Sequence, residues 1–333
     1  MSSTMPKVSQ NILKSFSALL CDREFIPFDE FVKWALYDPK IGYYQRPKKR
    51  VGKDINNDFY TSSTLGSIWG ELIIESSITM LGKNIPSEFV FVEIAAEPQT
   101  SILQGLQHPF KSHQIIRLGD KIDIPEKAVV YSNEWLDAQP FKRFKYSKKQ
   151  KCWVEIFVGL DNSKLVQIEG KPDPSESFLF PKISTDGYLI DWPTGSISSL
   201  HKLITQSQWN GIFMTFDYGL DINTLLNDRP EGTARAYRRH NLTNSLLTNV
   251  GDQDITCHLC WDSLKECLKK AGFEKINLTN QEAFLLENAR AEIKKIFEKS
   301  TEGLNPKMLA LRELIHPAHL GHGMQALSAA RFK

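Results

Sequence analysis

Residues 89–95 read FVFVEIA, an almost unbroken apolar run that carries one carboxylate near its end. A short continuous apolar run is how a strand covered on both faces of a parallel sheet reads. Residues 115–118 (IIRL), 128–131 (AVVY) and 211–216 (GIFMTF) repeat the texture, and Leu200, Leu203 and Ile204 supply helical spacing before the last of them. Strands separated by helices predict a doubly wound α/β sheet.

The flanks have other periods. Ile12, Leu13, Phe16, Leu19 and Leu20 share one helical face behind Ser9, a candidate cap; Phe28, Phe31, Val32, Ala35 and Leu36 repeat the pattern with Asp29 and Glu30 in the first turn. Asp38 and Pro39 stop that second helix. Residues 42–63 read as a loop and 65–81 as a helix. Residues 153–158 and 164–169 flank Asp161-Asn162-Ser163 and predict a β-hairpin, with a further strand at 188–192. Beyond 250, strands are expected at 255–261, 275–278 and 325–332, with helices at 263–271 and 281–299. The organisation read from these patterns is an N-terminal helical and loop extension (1–82), the first part of the α/β core (83–140), a β-hairpin insertion (141–195), and the rest of the core (196–333) with a helical insertion near 281–315.

Composition narrows the classes. At 41% hydrophobic and 24% charged residues, the 333-residue chain can bury a core. No apolar run approaches the ~18 residues that span a bilayer, so no membrane role is expected. The first residues show neither a signal nor a transit pattern, and five cysteines point to a reduced, cytoplasmic setting. The net charge of +2 hides two basic runs, 46–53 (RPKKRVGK) and 142–151 (KRFKYSKKQK), and the remainder is net acidic. Aromatics interleave with the second run, yet no nucleic-acid module is recognisable, and no nucleic-acid partner is expected.

Ligands of open α/β sheets bind at the carboxyl ends of the strands. Three such ends carry acids or amides: Glu93 with Ala95 and Glu97 behind it, Asn133-Glu134 with Asp137, and Asp217. Asn and Asp also cap helices, and that plainer role competes at 133–137. Cys257 and Cys260 form a CxxC, but a structural zinc site needs a second ligand pair. His316, His319 and His322 lie in a loop with Pro317 and Gly321. No metal is expected at either place.

Several segments together resemble one family. They are 31–44 (FVKWALYDPKIGYY), 58–71 (DFYTSSTLGSIWGE), 91–94 (FVEI), 133–140 (NEWLDAQP), 217–219 (DYG), 232–240 (GTARAYRRH), 254–256 (DIT) and the tail at 317–327. The chain is similar to the MidA-like S-adenosylmethionine-dependent methyltransferases, relatives of the mitochondrial complex I assembly factor that methylates a protein arginine. The resemblance implies a Rossmann-like methyltransferase sheet whose last strand is antiparallel. It implies S-adenosylmethionine as cofactor, held near Tyr60, Thr61, Glu93, Ala95, Glu97 and Asn133. It also implies Glu134, Asp137 and Asp217 as catalytic groups facing a protein partner that presents a cationic side chain. In eukaryotes the family implies mitochondria.

The chain departs from the family where the cofactor would sit. The family's turn reads Glu-x-Gly-x-Gly-x-Gly, and Ala95, Glu97 and Gln99 stand at the glycine positions. Side chains there obstruct close backbone approach. Arg117 stands where an acid bonds the ribose hydroxyls, the helix after it is shortened, and Asn57 replaces a glycine before DFYT. Two readings follow: an active methyltransferase with an altered pocket, and a non-catalytic relative that keeps the fold to bind a partner. The basic runs flank the motifs and read as mobile rims or docking edges.

Overall fold

A computed structural model describes residues 9–46, 65–174, 180–183, 185–239, 241–298, 305–316, 321 and 323–332. Strands and helices are numbered along the chain. The chain forms two compact units, each built from three chain segments.

The first unit comprises Met1–Phe59, Asp137–Ser198 and Leu220–Cys260. It opens with α1 (Gln10–Leu20), where the Ser9 side chain accepts from the Ile12 N–H, and continues through β1 (Phe25–Pro27) into α2 (Phe28–Tyr37). Phe16, Phe28, Phe31 and Trp34 interlock in tilted and edge-on pairs and seat α1 on α2. Both helices pack into a core completed by Phe141, Ile156 and Val158.

Its sheet is antiparallel, in the order β1, β6 (Cys152–Asp161), β5 (Lys142–Ser147), β8 (Leu189–Trp192), with β7 (Lys164–Gly170) also paired to β6. The predicted hairpin is β6 and β7. Its two-residue loop, Asn162 and Ser163, has φ of +45° and +60°, the left-handed pair that matches strand twist. The basic run 142–151 divides between a strand and the exposed turn at 148–151. Most of it is β5, an interior strand, with Arg143 buried against Asp191 and Lys145 2.7 Å from Glu169. Of the other basic run, only Arg46 falls among the described residues. The unit ends with α5 (Ile222–Asn227) and a small sheet of β11 (Arg235–Arg238), β12 (Asn241–Thr243) and β13 (Asp254–Thr256).

The second unit comprises Tyr60–Leu136, Ser199–Gly219 and Trp261–Lys333. Its six-stranded sheet has the order β15 (Glu274–Asn280), β16 (Gln325–Arg331), β9 (Asn210–Asp217), β4 (Lys127–Asn133), β2 (Val90–Ile94), β3 (Ser112–Ile116). Strands β3, β2, β4 and β9 are parallel, and β16 runs antiparallel to both β9 and β15. This is the α/β methyltransferase-type sheet expected, including its antiparallel last strand. Helix α3 (Ser67–Leu81) packs on one face with Phe91, Tyr131 and Phe216. Trp69 donates to the Tyr131 hydroxyl at 2.7 Å and meets Phe216 edge-on.

Three expectations are corrected. The doubly wound alternation fails between β2 and β4: residues 95–111 and 117–126 connect parallel strands without a helix. The strand expected at 255–261 is divided into β13 and β14 (Leu259–Cys260), and Trp261 already opens α6 (Trp261–Lys270). Likewise the helix expected at 281–299 breaks at Ala289 into α7 (Gln281–Asn288) and α8 (Arg290–Glu298), followed by α9 (Pro306–Ile315). The remaining elements are α4 (Thr194–Thr205) and the two-residue β10 (Gly219–Leu220). Among the described residues no helix is long and apolar enough to cross a membrane.

Candidate cofactor and acceptor sites

Strand register sets which residues leave the sheet together. Ile94 is level with Ile116 on one side and Ser132 on the other, and Asn133 is level with Phe216. Ala95, Arg117 and Asn133 are therefore the next residues out on three neighbouring parallel strands, with Asp217 one step beyond Phe216. This is the end of the sheet where α/β proteins bind ligands.

Glu93 lies within β2 and is buried. Both its carboxylate oxygens accept from the Ile102 N–H at 3.2 Å. His113 Nε2 lies 3.3 Å from Oε2, off the line of a hydrogen bond. Glu93 thus anchors the segment that follows β2 from within the sheet.

The turn itself keeps a left-handed residue without a glycine. Ala95 has φ of +59° and donates its N–H to the Ile116 carbonyl at 2.8 Å. An L-residue there is strained by roughly 1–2 kcal/mol. The Glu97 carbonyl accepts from the Thr100 N–H at 3.3 Å and from Arg117 Nε at 3.2 Å. Arg117 Nη2 also donates to the Thr100 carbonyl at 3.2 Å. The residue at the position of the family's acid therefore spans back to the turn.

At the end of β4, Asn133 Nδ2 donates to Glu134 Oε1 at 3.1 Å, while Asn133 Oδ1 is buried with no hydrogen-bond partner. Leaving such an acceptor unmade costs about 1–3 kcal/mol. Glu134 sits at φ of +46° and its N–H donates to the Phe216 carbonyl at 2.9 Å. Asp217 is wholly buried; its carboxylate accepts from the Leu136 N–H at 3.0 Å and the Tyr218 N–H at 2.8 Å. Those bonds make Asp217 the brace that joins the end of β9 to the segment after β4.

Asp137 belongs to the first unit. It is buried, and its carbonyl accepts from the Cys257 N–H at 3.0 Å. In the same unit Tyr37 donates its hydroxyl to the Ala138 carbonyl at 2.8 Å and stacks on Tyr44, centroids 5.4 Å apart. The Tyr44 hydroxyl reaches both oxygens of buried Asp254 at 3.0 and 3.1 Å. Burial first, then the charges of Asp254 and Asp137, push the Tyr37 hydroxyl far above its ordinary value, and Tyr44 is driven the same way. Both remain protonated donors at neutral pH. Sequence reasoning did not single out Tyr37, Tyr44 or Asp254. The signal was present, since all three lie inside the motif segments 31–44 and 254–256.

Tyr60 and Thr61 lie outside the described residues, as do Asn57, His319 and His322. Cys257 and Cys260 are both buried, and Cys257 Sγ lies 3.6 Å from Thr233 Oγ1. Among the described residues no group of three His, Cys, Asp or Glu side chains is arranged to hold a metal ion.

A mostly parallel sheet whose last strand in the chain, β16, runs antiparallel, with acids and an amide at its carboxyl ends, defines a methyltransferase-type α/β protein. The chain belongs to the family described as "putative S-adenosyl-L-methionine-dependent methyltransferase", whose model matches residues 77–279. Its fold is similar to that of a Burkholderia thailandensis protein crystallised with S-adenosyl-homocysteine (TM-score 0.85, 20% identity, covering 98% of this chain and 95% of the other). A native structure of an uncharacterized protein from the same organism gives a TM-score of 0.80 at 20% identity, with the same coverage.

Proposed function

We propose that this chain transfers a methyl group from S-adenosylmethionine to a protein nitrogen, with an arginine side chain as the acceptor. The observation that carries the cofactor half is the unpartnered, buried Asn133 Oδ1 at the carboxyl end of β4, level with Ala95. S-adenosylmethionine offers donors at its adenine amino group, ribose hydroxyls and ammonium, any of which satisfies a lone buried acceptor. The left-handed conformation at Ala95 also retains the chain reversal that a glycine ordinarily makes. On these two grounds the residues fit the group. Asn133 and the turn at Ala95 and Glu97 would hold it, with Glu93 fixing that turn through Ile102; Tyr60 and Thr61 are further candidates from the motif. The bound cofactor supplies an electrophilic methyl group.

The acceptor half rests on charge. Glu134 and Asp217 of the second unit are the acids of this reading, with Asp137 a further candidate from the motif, and a guanidinium is recognised through charge-assisted bonds to carboxylates. Their work is to orient the acceptor nitrogen and to take its proton; positioning of the two reactants accounts for most of the rate. The MidA-like assignment, with its link to assembly of a respiratory complex, belongs to the same proposal. So does a partner protein that presents a cationic side chain.

A second reading is favoured by Glu97 in the turn and by the absence of a helix over 95–111. It is a methyltransferase-fold protein that binds a partner without catalysis. Isothermal titration with S-adenosylmethionine separates the two. Micromolar binding supports the enzyme, whereas no heat and no thermal shift at millimolar cofactor overturns it.

A further inference from the structure

We propose that Arg117 is a positioning residue for the cofactor turn, a side-chain clamp that stands in for the glycines and for the helix missing over 95–111. The inference rests on the cofactor reading above, and it starts from a mechanical deficit. A helix after the first strand ordinarily fixes the turn, because its own hydrogen-bond ladder holds the first residues in place. Here that segment holds only turns, and its first residue is a strained alanine.

Two side chains make up the deficit from neighbouring strands. Glu93 takes the Ile102 N–H with both oxygens, tying the middle of the segment back to β2. Arg117, one residue beyond β3, takes the carbonyls of Glu97 and Thr100 through two different nitrogens. Its own N–H is held by the Asp120 carboxylate at 2.8 Å, so the backbone carrying the clamp is itself braced. A planar guanidinium can bond two carbonyls at once; an ammonium cannot reproduce that fork.

The clamp also dictates what the turn can present. Peptide planes are trans, so a carbonyl drawn toward Arg117 turns the following N–H away from it. After Glu97 comes Pro98, which has no N–H to present. After Thr100 comes Ser101, whose N–H is therefore directed away from β3. Arg117 thus spends its charge on two carbonyls whose peptides need orienting. The charge that replaces the family's acid is internal to the turn instead of being aimed at a ribose.

The test uses the full-length protein, with Arg117→Ala and Arg117→Lys. Hydrogen–deuterium exchange should show the amides of 99–102 exchanging at least tenfold faster in R117A, with the protection of β4 and β9 unchanged. The dissociation constant for S-adenosylmethionine should rise at least tenfold in R117A, with R117K between it and the wild type. Unchanged exchange over 99–102 overturns the clamp whether or not cofactor binds. Faster exchange with an unchanged dissociation constant overturns the positioning role. If the wild type fails to bind at millimolar cofactor, the function proposed above falls, and the exchange measurement still decides the clamp.

Discussion

Asp191 and Arg143 form a buried ion pair, with Arg143 Nε 2.7 Å from Asp191 Oδ1. The same carboxylate accepts from the backbone N–H groups of Thr233 and Ala234, both at 2.8 Å, and Arg143 lies over the Phe28 ring. The pair thus ties β5 and β8 to the GTAR segment and to α2. Removing one member leaves the other charge buried and unpaired, which destabilises by about 3–5 kcal/mol. Chemical denaturation of Arg143→Ala should show a loss of that size, while Lys145→Ala, whose partner Glu169 is exposed, should change stability by less than ~1 kcal/mol.

Gly232 lies against that carboxylate. It has φ of +67°, and a methyl group there would meet Asp191 Oδ2 at 2.2 Å. Gly232→Ala should therefore be destabilised by roughly 2 kcal/mol or more, from left-handed strain plus displacement of a buried charge. A melting temperature within a degree of the wild type would contradict this.

Ala95 gives the opposite sign. Glycine relieves the strain of φ +59° but adds freedom to the unfolded chain, worth about 0.4–1 kcal/mol. Ala95→Gly should be stabilised by up to ~1 kcal/mol, read as a raised denaturant midpoint at constant slope.

His258 makes stability depend on pH. Burial, followed by the positive charges of Arg229 and Arg235, lowers its pKa to about 4, and its Nδ1 is buried without a partner. The unfolded chain takes up this proton near pH 6.5 and the folded one only near 4. The folded state therefore loses stability as pH falls through that window, by up to about 1.4 kcal/mol per unit, and is unaffected above it. The difference between the wild type and His258→Asn, followed from pH 7.5 to 4, should trace that slope; parallel curves would refute it.

The cysteines should sort by exposure. Cys21 and Cys152 are exposed, whereas burial pushes the Cys257 thiol far up and Cys260 is wholly buried. In the native protein at pH 8 a thiol reagent should modify the first pair within minutes and the second pair only after denaturant is added.

Much of this architecture was legible from side-chain period. FVFVEIA and GIFMTF announce buried strands because both their faces are covered, and Asn162-Ser163 announces a hairpin because few residues tolerate that turn. The missing helices between β2 and β4 were harder to read: 95–111 is long enough for one, and only the Pro98 region and the early return of AVVY argued against it. The break at Ala289 was illegible because the apolar spacing runs through it. Glu93, Asn133 and Asp217 stand out in the sequence by their place at strand ends. In the sequence Arg117 stands out only as a departure, since its reach to two carbonyls 17 and 20 residues away depends on strand register. Within the basic run at 142–151, charge alone does not separate Arg143, with its buried partner Asp191, from the exposed lysines of the turn.

Strand β16 lies between β9 and β15, yet it follows β9 in the chain by more than a hundred residues and β15 by about forty-five. During synthesis the parallel strands can pair as they emerge, but β9 and β15 each keep an open hydrogen-bonding edge until residues 325–331 are made. A nascent chain paused before that point displays two sticky ladders with nothing between them. Pairing of β16 with both neighbours therefore competes with capture of those open edges by other chains.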